Sequence, residues 1–176
     1  MKTLLTEDAL RVGVSRMARE IAVAYGDEPL TIVGVLTGSI VLMADLIRLL
    51  EMPMRVGVIS ASSYRGEVTR GDLTINSELM LDITNRHVLL IDDIFDTGNT
   101  LMGLVSRLQN FKPASIRSAV LLRKAGRREV DFDPDYVGFD IPDEFVVGYG
   151  LDYRDEFRNL PFVAALEPDE IASNSR

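Results

Sequence analysis

Val88-Leu89-Leu90-Ile91-Asp92-Asp93-Ile94-Phe95-Asp96-Thr97-Gly98-Asn99-Thr100-Leu101 is the stretch on which the fold turns. Four apolar residues in a row, without polar alternation, describe a strand covered on both faces, the usual state of a strand in a parallel sheet. The run ends in two carboxylates, and a Thr-Gly turn then opens a helical pattern from Leu101 to Leu108. Open α/β sheets bind ligands at the C-terminal ends of their strands. A glycine loop before a helix offers a phosphate free backbone N–H groups and a favourable dipole, and the Thr97 and Thr100 hydroxyls add donors. Asp92 and Asp93 would repel a phosphate directly beside them, so they address neutral hydroxyls or a metal. A sugar phosphate satisfies both halves.

Outward from this segment, helices and strands alternate. Leu10, Val14, Met17, Ile21 and Ala24 recur at helical spacing behind Thr6, an N-cap with Glu7 and Asp8 in the first turn. Leu30 to Leu36 is a second continuous apolar run, and Gly38-Ser39 opens a helical stretch to Leu50. Arg55 to Ser60, Arg86 to Ile91 and Ile116 to Leu122 read as further strands. The pattern predicts an α/β fold, a mostly parallel sheet flanked by helices. The helix from Ser39 to Leu50 is apolar on nearly every side, so a second layer or another subunit must cover the excess. Between Ser60 and Asp82 runs a polar, glycine-containing stretch too long for a tight connection, either a long hairpin or a mobile active-site loop. His87, at the end of its strand opposite the acids, reads as structural.

A chain of 176 residues fits one domain, large enough to bury about 70 % of the surface its unfolded form exposes. The absence of cysteine excludes disulfides and thiolate metal sites. A net charge of −8 disfavours nucleic acid as a partner. Arg123-Lys124 with Arg127-Arg128 runs against that sign, as a solvated turn or as the wall of an anion or polar-ligand site. The apolar stretch Ile40 to Leu50 is too short to span a bilayer and carries Asp45 and Arg48, so no membrane is expected. The first residues lack the apolar core of a signal peptide, and a cytoplasmic protein is expected.

Asp96-Thr97-Gly98 is also the triplet of aspartic proteases. Those enzymes need two such carboxylates sharing a proton, and they are almost entirely β. One Asp-Thr-Gly in an alternating chain does not meet that need.

The whole segment, with four apolar residues, two acids, two apolar residues, Asp-Thr-Gly, one residue and Thr, resembles the phosphoribosyl pyrophosphate signature of type I phosphoribosyltransferases. Val137 to Tyr153 is similar, nearly residue for residue, to the nucleobase-binding stretch of the hypoxanthine-guanine branch. Leu36-Thr37-Gly38-Ser39 resembles its pyrophosphate loop, Ala61-Ser62-Ser63-Tyr64 its flexible catalytic loop, and Arg123-Lys124 the place of its purine-reading lysine. Glu144, where other members carry a basic residue, resembles the bacterial branch. The family often has lysine at the position of Thr37, which leaves the backbone of that loop to serve pyrophosphate here.

The resemblance implies a type I phosphoribosyltransferase fold in one domain, residues 1–176, with a core of about 30–140 and a small hood from the N- and C-terminal segments. It implies purine salvage: transfer of the phosphoribosyl group to N9 of hypoxanthine or guanine, with Mg2+, by a homodimer or homotetramer. Asp96 is then the general base beside N7. Leu36, Thr37, Gly38, Asp92, Asp93, Asp96, Thr97, Gly98, Asn99, Thr100 and Arg158 bind phosphoribosyl pyrophosphate, Arg128 being a weaker candidate for its pyrophosphate. Lys124, Phe145, Val146 and Asp152 bind the purine: Phe145 stacks, the Val146 backbone faces the base edge, and Lys124 donates to the 6-oxo oxygen. Asp92, Asp93 and Asp152 help hold the metal, and Ser63 and Tyr64 close over the site. A cis peptide between Leu36 and Thr37 is expected. Two other functions stand against this one: a nucleic-acid-binding regulator on the same fold, disfavoured by charge and by the intact Asp96, Lys124 and Asp152, and an enzyme for another base such as xanthine.

Overall fold

Alternate residues of a strand face opposite sides of a sheet, and in this protein both sides are apolar. Ile32, Leu89, Ile91, Ala119 and Leu121 pack into one buried cluster, while Val33, Val35, Val88, Leu90 and Val120 pack into another on the reverse face. The inner strands are therefore covered on both sides, and the uninterrupted hydropathy of their sequences follows. The computed structural model describes residues 1–60 and 81–173. The expected closing segment with Ser63 and Tyr64 lies outside the described residues.

The principal sheet has five parallel strands in the order β3-β2-β4-β5-β6. They are β2 (Leu30–Leu36), β3 (Met54–Ser60), β4 (His87–Phe95), β5 (Ser115–Lys124) and β6 (Tyr136–Ile141). Helices α1 (Glu7–Tyr25) and α2 (Ile40–Leu49) cover the first face, and α3 (Asn99–Gln109) covers the second. Chain order reverses beside β2: β3 lies to one side of it and β4 to the other. The C-terminal ends of β2 and β4 thus flank the switch point at which such sheets bind ligands.

A second, antiparallel sheet has the order β1-β8-β7, from β1 (Lys2–Leu5), β7 (Val146–Val147) and β8 (Val163–Ala165). A short helix α4 (Pro168–Ser173) follows. No helix among the described residues is long and apolar enough to cross a membrane.

Several local expectations need correction. The α1 stripe ends on Tyr25, not Ala24: Thr6 Oγ1 caps Ala9 N at 3.2 Å, and the period then buries Leu10, Val14, Met17, Ile21 and Tyr25 while Ala24 is exposed. Strand β4 runs past Ile91 through both acids to Phe95, because β5 continues beside it and pairs Asp92 with Val120 and Phe95 with Arg123. The same pairing carries β5 on to Lys124. On α2, Leu42, Met43 and Leu46 are buried and α1 packs against it, yet Ile40 and Leu49 remain exposed.

Candidate active site

Three segments meet above the switch point and enclose a cavity of about 570 Å³. The end of β2 contributes Leu36, Thr37 and Gly38, and the peptide between Leu36 and Thr37 is cis as expected. The end of β4 and its loop contribute Asp92, Asp93, Asp96, Thr97, Gly98 and Thr100. Asp152 and Arg158 come from the connection between β7 and β8.

Two glycines permit this convergence. Gly98 caps α3 at φ 88°, a left-handed conformation that a side chain disfavours, and the loop then delivers the N-terminus of α3 to the cavity. Gly38 passes so close to β4 that a Cβ built on it would collide with the Asp93 carboxylate.

The 148–158 segment is held by its own turns. Tyr149 N donates to Leu160 O at 2.8 Å and Gly150 N to Arg158 O at 3.0 Å. Tyr149 (φ 50°) and Phe157 (φ 74°) adopt left-handed backbone, which costs each about 1–3 kcal/mol and marks a segment held in place by its surroundings. The Tyr149 hydroxyl donates to Asp45 Oδ2 on α2 at 2.5 Å. Burial, with that carboxylate, pushes the phenol well above its usual range. Arg158 donates to Gly150 O and pairs with Asp152 Oδ1, both at 2.8 Å, so it sits on the cavity wall already neutralised by Asp152.

Asp92 and Asp93 differ from surface acids. Asp92 Oδ1 accepts from Asp93 N at 2.9 Å, and Asp93 Oδ1 accepts from Ile94 N at 2.8 Å. Burial raises both carboxyls above the usual carboxylate range, Asp92 well above it with the neighbouring Asp93 adding to the effect. For an acid raised on folding, the unfolded chain ionises first. Stability contributed by the neutral form is present below pH 3.8 and is lost as pH rises through the folded value. Asp92→Asn, neutral throughout and still able to accept from Asp93 N, should therefore stabilise the fold, little near pH 4 and more toward pH 7.5. Urea unfolding of both proteins across that range reads the difference.

Among the described residues no group of three histidine, cysteine, aspartate or glutamate side chains is close enough to enclose a metal. Hard carboxylates at the cavity nonetheless suit magnesium, which takes one or two of them and completes its shell with water and substrate phosphate.

The remaining expected residues do not line this cavity. Lys124, the last residue of β5 and 12 % exposed, stands 3.5 Å from Asp96 Oδ2 and 3.4 Å from Asp143 Oδ1. Arg127 Nε donates to Asp96 Oδ1 at 2.9 Å and lies 3.7 Å from Asp143 Oδ2. Phe145 is 44 % exposed, its ring edge-on to Tyr153 with centroids 5.4 Å apart. Val146 is buried in β7 against Ala165. Asn99 bonds Thr97 Oγ1 and Glu129 Oε2, each at 3.2 Å, and does not line the cavity.

The basic cluster is not an open anion wall. Arg123 pairs with Asp140 at 2.7 Å, and Arg128 pairs with Asp133 and stays clear of the cavity. The acids that neutralise the cluster arrive from Asp96 and from residues 133–143, which charge counted along the segment misses. Asp143 and the Asp96–Arg127 pair are the site features that sequence reasoning did not find.

The phosphoribosyl transferase domain family matches residues 1–154. The chain is 42 % identical over 167 residues to the hypoxanthine-guanine phosphoribosyltransferase of Staphylococcus epidermidis, covering 94 % of this chain and 93 % of that protein. It is 40 % identical over 174 residues to the Staphylococcus aureus protein of the same name, covering 98 % and 97 %. A Bacillus anthracis hypoxanthine-guanine phosphoribosyltransferase structure superposes with TM-score 0.87 at 39 % identity, covering 95 % of this chain and 99 % of the other. A variant of Trypanosoma cruzi hypoxanthine phosphoribosyltransferase, complexed with the product IMP, gives TM-score 0.87 at 36 % identity, covering 99 % and 94 %. A switch-point cavity that joins a glycine-bearing loop at a helix N-terminus to two adjacent acids, carried on a chain related this closely along nearly its whole length, has one parentage: the protein belongs to the phosphoribosyltransferase family, in its hypoxanthine-guanine branch.

Proposed function

We propose that the protein transfers the 5-phosphoribosyl group of phosphoribosyl pyrophosphate to N9 of hypoxanthine or guanine, yielding IMP or GMP and pyrophosphate. The observation that carries this reading is the joining of two chemistries in one cavity: the loop from Asp96 to Thr100 at the α3 N-terminus, and the buried pair Asp92 and Asp93 beside it. The loop takes the 5-phosphate on N–H groups and hydroxyls, with Asn99 shaping it through Thr97. The acids accept from the ribose hydroxyls. The backbone of Leu36, Thr37 and Gly38 then faces pyrophosphate, with Arg158 opposite. Asp152, Asp92 and Asp93 would help hold magnesium through water and substrate oxygens, and it would supply positive charge to the pyrophosphate.

At the rim, Phe145 stacks on the purine and the Val146 backbone meets its edge. Lys124 has donors only, so it pairs with the 6-oxo oxygen and has nothing to accept from the amino group of adenine. Asp96 takes the purine's ring proton as N9 attacks the anomeric carbon. Departure of pyrophosphate builds oxocarbenium-like charge there, which the surrounding carboxylates stabilise. The small sheet serves as a hood over the base, within a single domain. We read the assembly as a cytoplasmic homodimer or homotetramer, with the exposed Ile40 and Leu49 of α2 and Val56 of edge strand β3 as the apolar surface available for contact.

Turnover of a purine panel with phosphoribosyl pyrophosphate and magnesium tests the proposal: hypoxanthine and guanine react and adenine does not. Activity confined to pyrimidines would overturn it. Within that assay, Lys124→Ala costs about 1.5–3 kcal/mol in apparent affinity for the base, the worth of a charged hydrogen bond. Unchanged affinity for both oxopurines would remove Lys124 as the purine reader.

A further inference from the structure

The rim of the site holds a cation that the mechanism above leaves idle. Arg127 lies on the turn after β5, and that turn is pinned at both ends: Ala125 N donates to Ile141 O at 2.9 Å, and Glu129 N to Thr97 O at 3.0 Å. The second bond ties the turn to the residue next to Asp96. Arg127 and Lys124 then share two carboxylates, those of Asp96 and Asp143.

The four contacts are unequal. Arg127 Nε meets Asp96 Oδ1 at 2.9 Å, the length of a good charge-assisted hydrogen bond. Lys124 Nζ stands 3.5 Å from Oδ2 of the same carboxylate, too long for a strong one. Lys124 is the inner cation, 12 % exposed, and Arg127 the outer, 43 % exposed. The loosely held inner cation is the one free to turn to the purine oxygen.

We infer that Arg127 is a positioning residue for Asp96: it clamps Oδ1, so that Oδ2 is aimed at the purine's ring nitrogen once Lys124 turns from it to the base. This rests on the reading of Asp96 as proton acceptor and Lys124 as purine reader. Asp143 keeps the exchange balanced in charge. It faces both cations, so Arg127 retains a counter-ion while Asp96 works on the substrate. Arg127 does not line the phosphate cavity, so its effect falls on the chemical step and not on phosphoribosyl pyrophosphate binding.

The test is a cycle of variants assayed with hypoxanthine, phosphoribosyl pyrophosphate and magnesium. Arg127→Met lowers kcat by about 10- to 50-fold, the worth of a charged hydrogen bond, and leaves KM for phosphoribosyl pyrophosphate unchanged. Arg127→Lys, which keeps the cation, recovers most of the loss. In an Asp96→Asn background Arg127→Met adds nothing, since the carboxylate it aims is gone. Equal fractional losses in both backgrounds, or normal kcat in Arg127→Met, would overturn the inference while leaving Asp96 as the base. Near-normal turnover of Asp96→Asn alone marks the other failure, that of the reading beneath it, and the inference goes with it.

Discussion

Asp96→Asn lowers turnover with hypoxanthine by about 10²–10⁴-fold while affinity for phosphoribosyl pyrophosphate stays near that of the parent protein. The purine must lose a ring proton as it attacks, and a neutral base releases it reluctantly at neutral pH. A carboxylate at the rim makes the loss part of the reaction. Asparagine keeps the shape and can still accept from Arg127 Nε, so the substitution isolates proton acceptance from geometry. The proposed function places the 5-phosphate on the following residues and on the α3 N-terminus, which the change leaves in place. Single-turnover rates and equilibrium binding of phosphoribosyl pyrophosphate, measured separately, provide the check. Lost affinity with intact turnover would instead make Asp96 a structural member of the loop.

Gly38→Ala reduces kcat/KM for phosphoribosyl pyrophosphate by about 10²-fold or more, through a single methyl group. That methyl has no room, because the Asp93 carboxylate fills its place. Either the 36–38 loop or Asp93 must move, and Asp93 is half-buried and tied to Ile94 N at 2.8 Å. On the proposed reading, this displaces the loop that faces pyrophosphate from the acids that face the ribose. Because the collision is local, the thermal midpoint should change far less than the kinetics. Near-normal kinetics would show that the two segments need no such close approach.

Much of this architecture can be read from hydropathy, and the failures have physical causes. β2 and the apolar part of β4 are visible because helices on both faces require apolar residues on both. The continuation of β4 through Asp92, Asp93 and Ile94 is invisible, since what extends it is pairing with β5, and two buried acids interrupt the pattern. β7, with two residues, and β8, with three, are too short to have a period. The loop from Asp96 to Thr100 is legible because its residues are consecutive. The Asp96–Arg127 pair is not, because its members are 31 residues apart and only the turn pinned between Ile141 and Thr97 brings them together. Ion pairing across that turn also explains why a run of four basic residues carries no free positive face.

The small sheet has a timetable built into it. All five strands of the large sheet have been synthesised once Ile141 emerges, before the strand that completes the small one. Among the described residues β1 and β7 pair with β8, which lies between them and follows both in the chain. β1 therefore waits for a strand made much later in the chain. Closure of the small sheet is therefore a late event, and it waits on the same β7–β8 connection that carries Asp152 and Arg158 to the cavity.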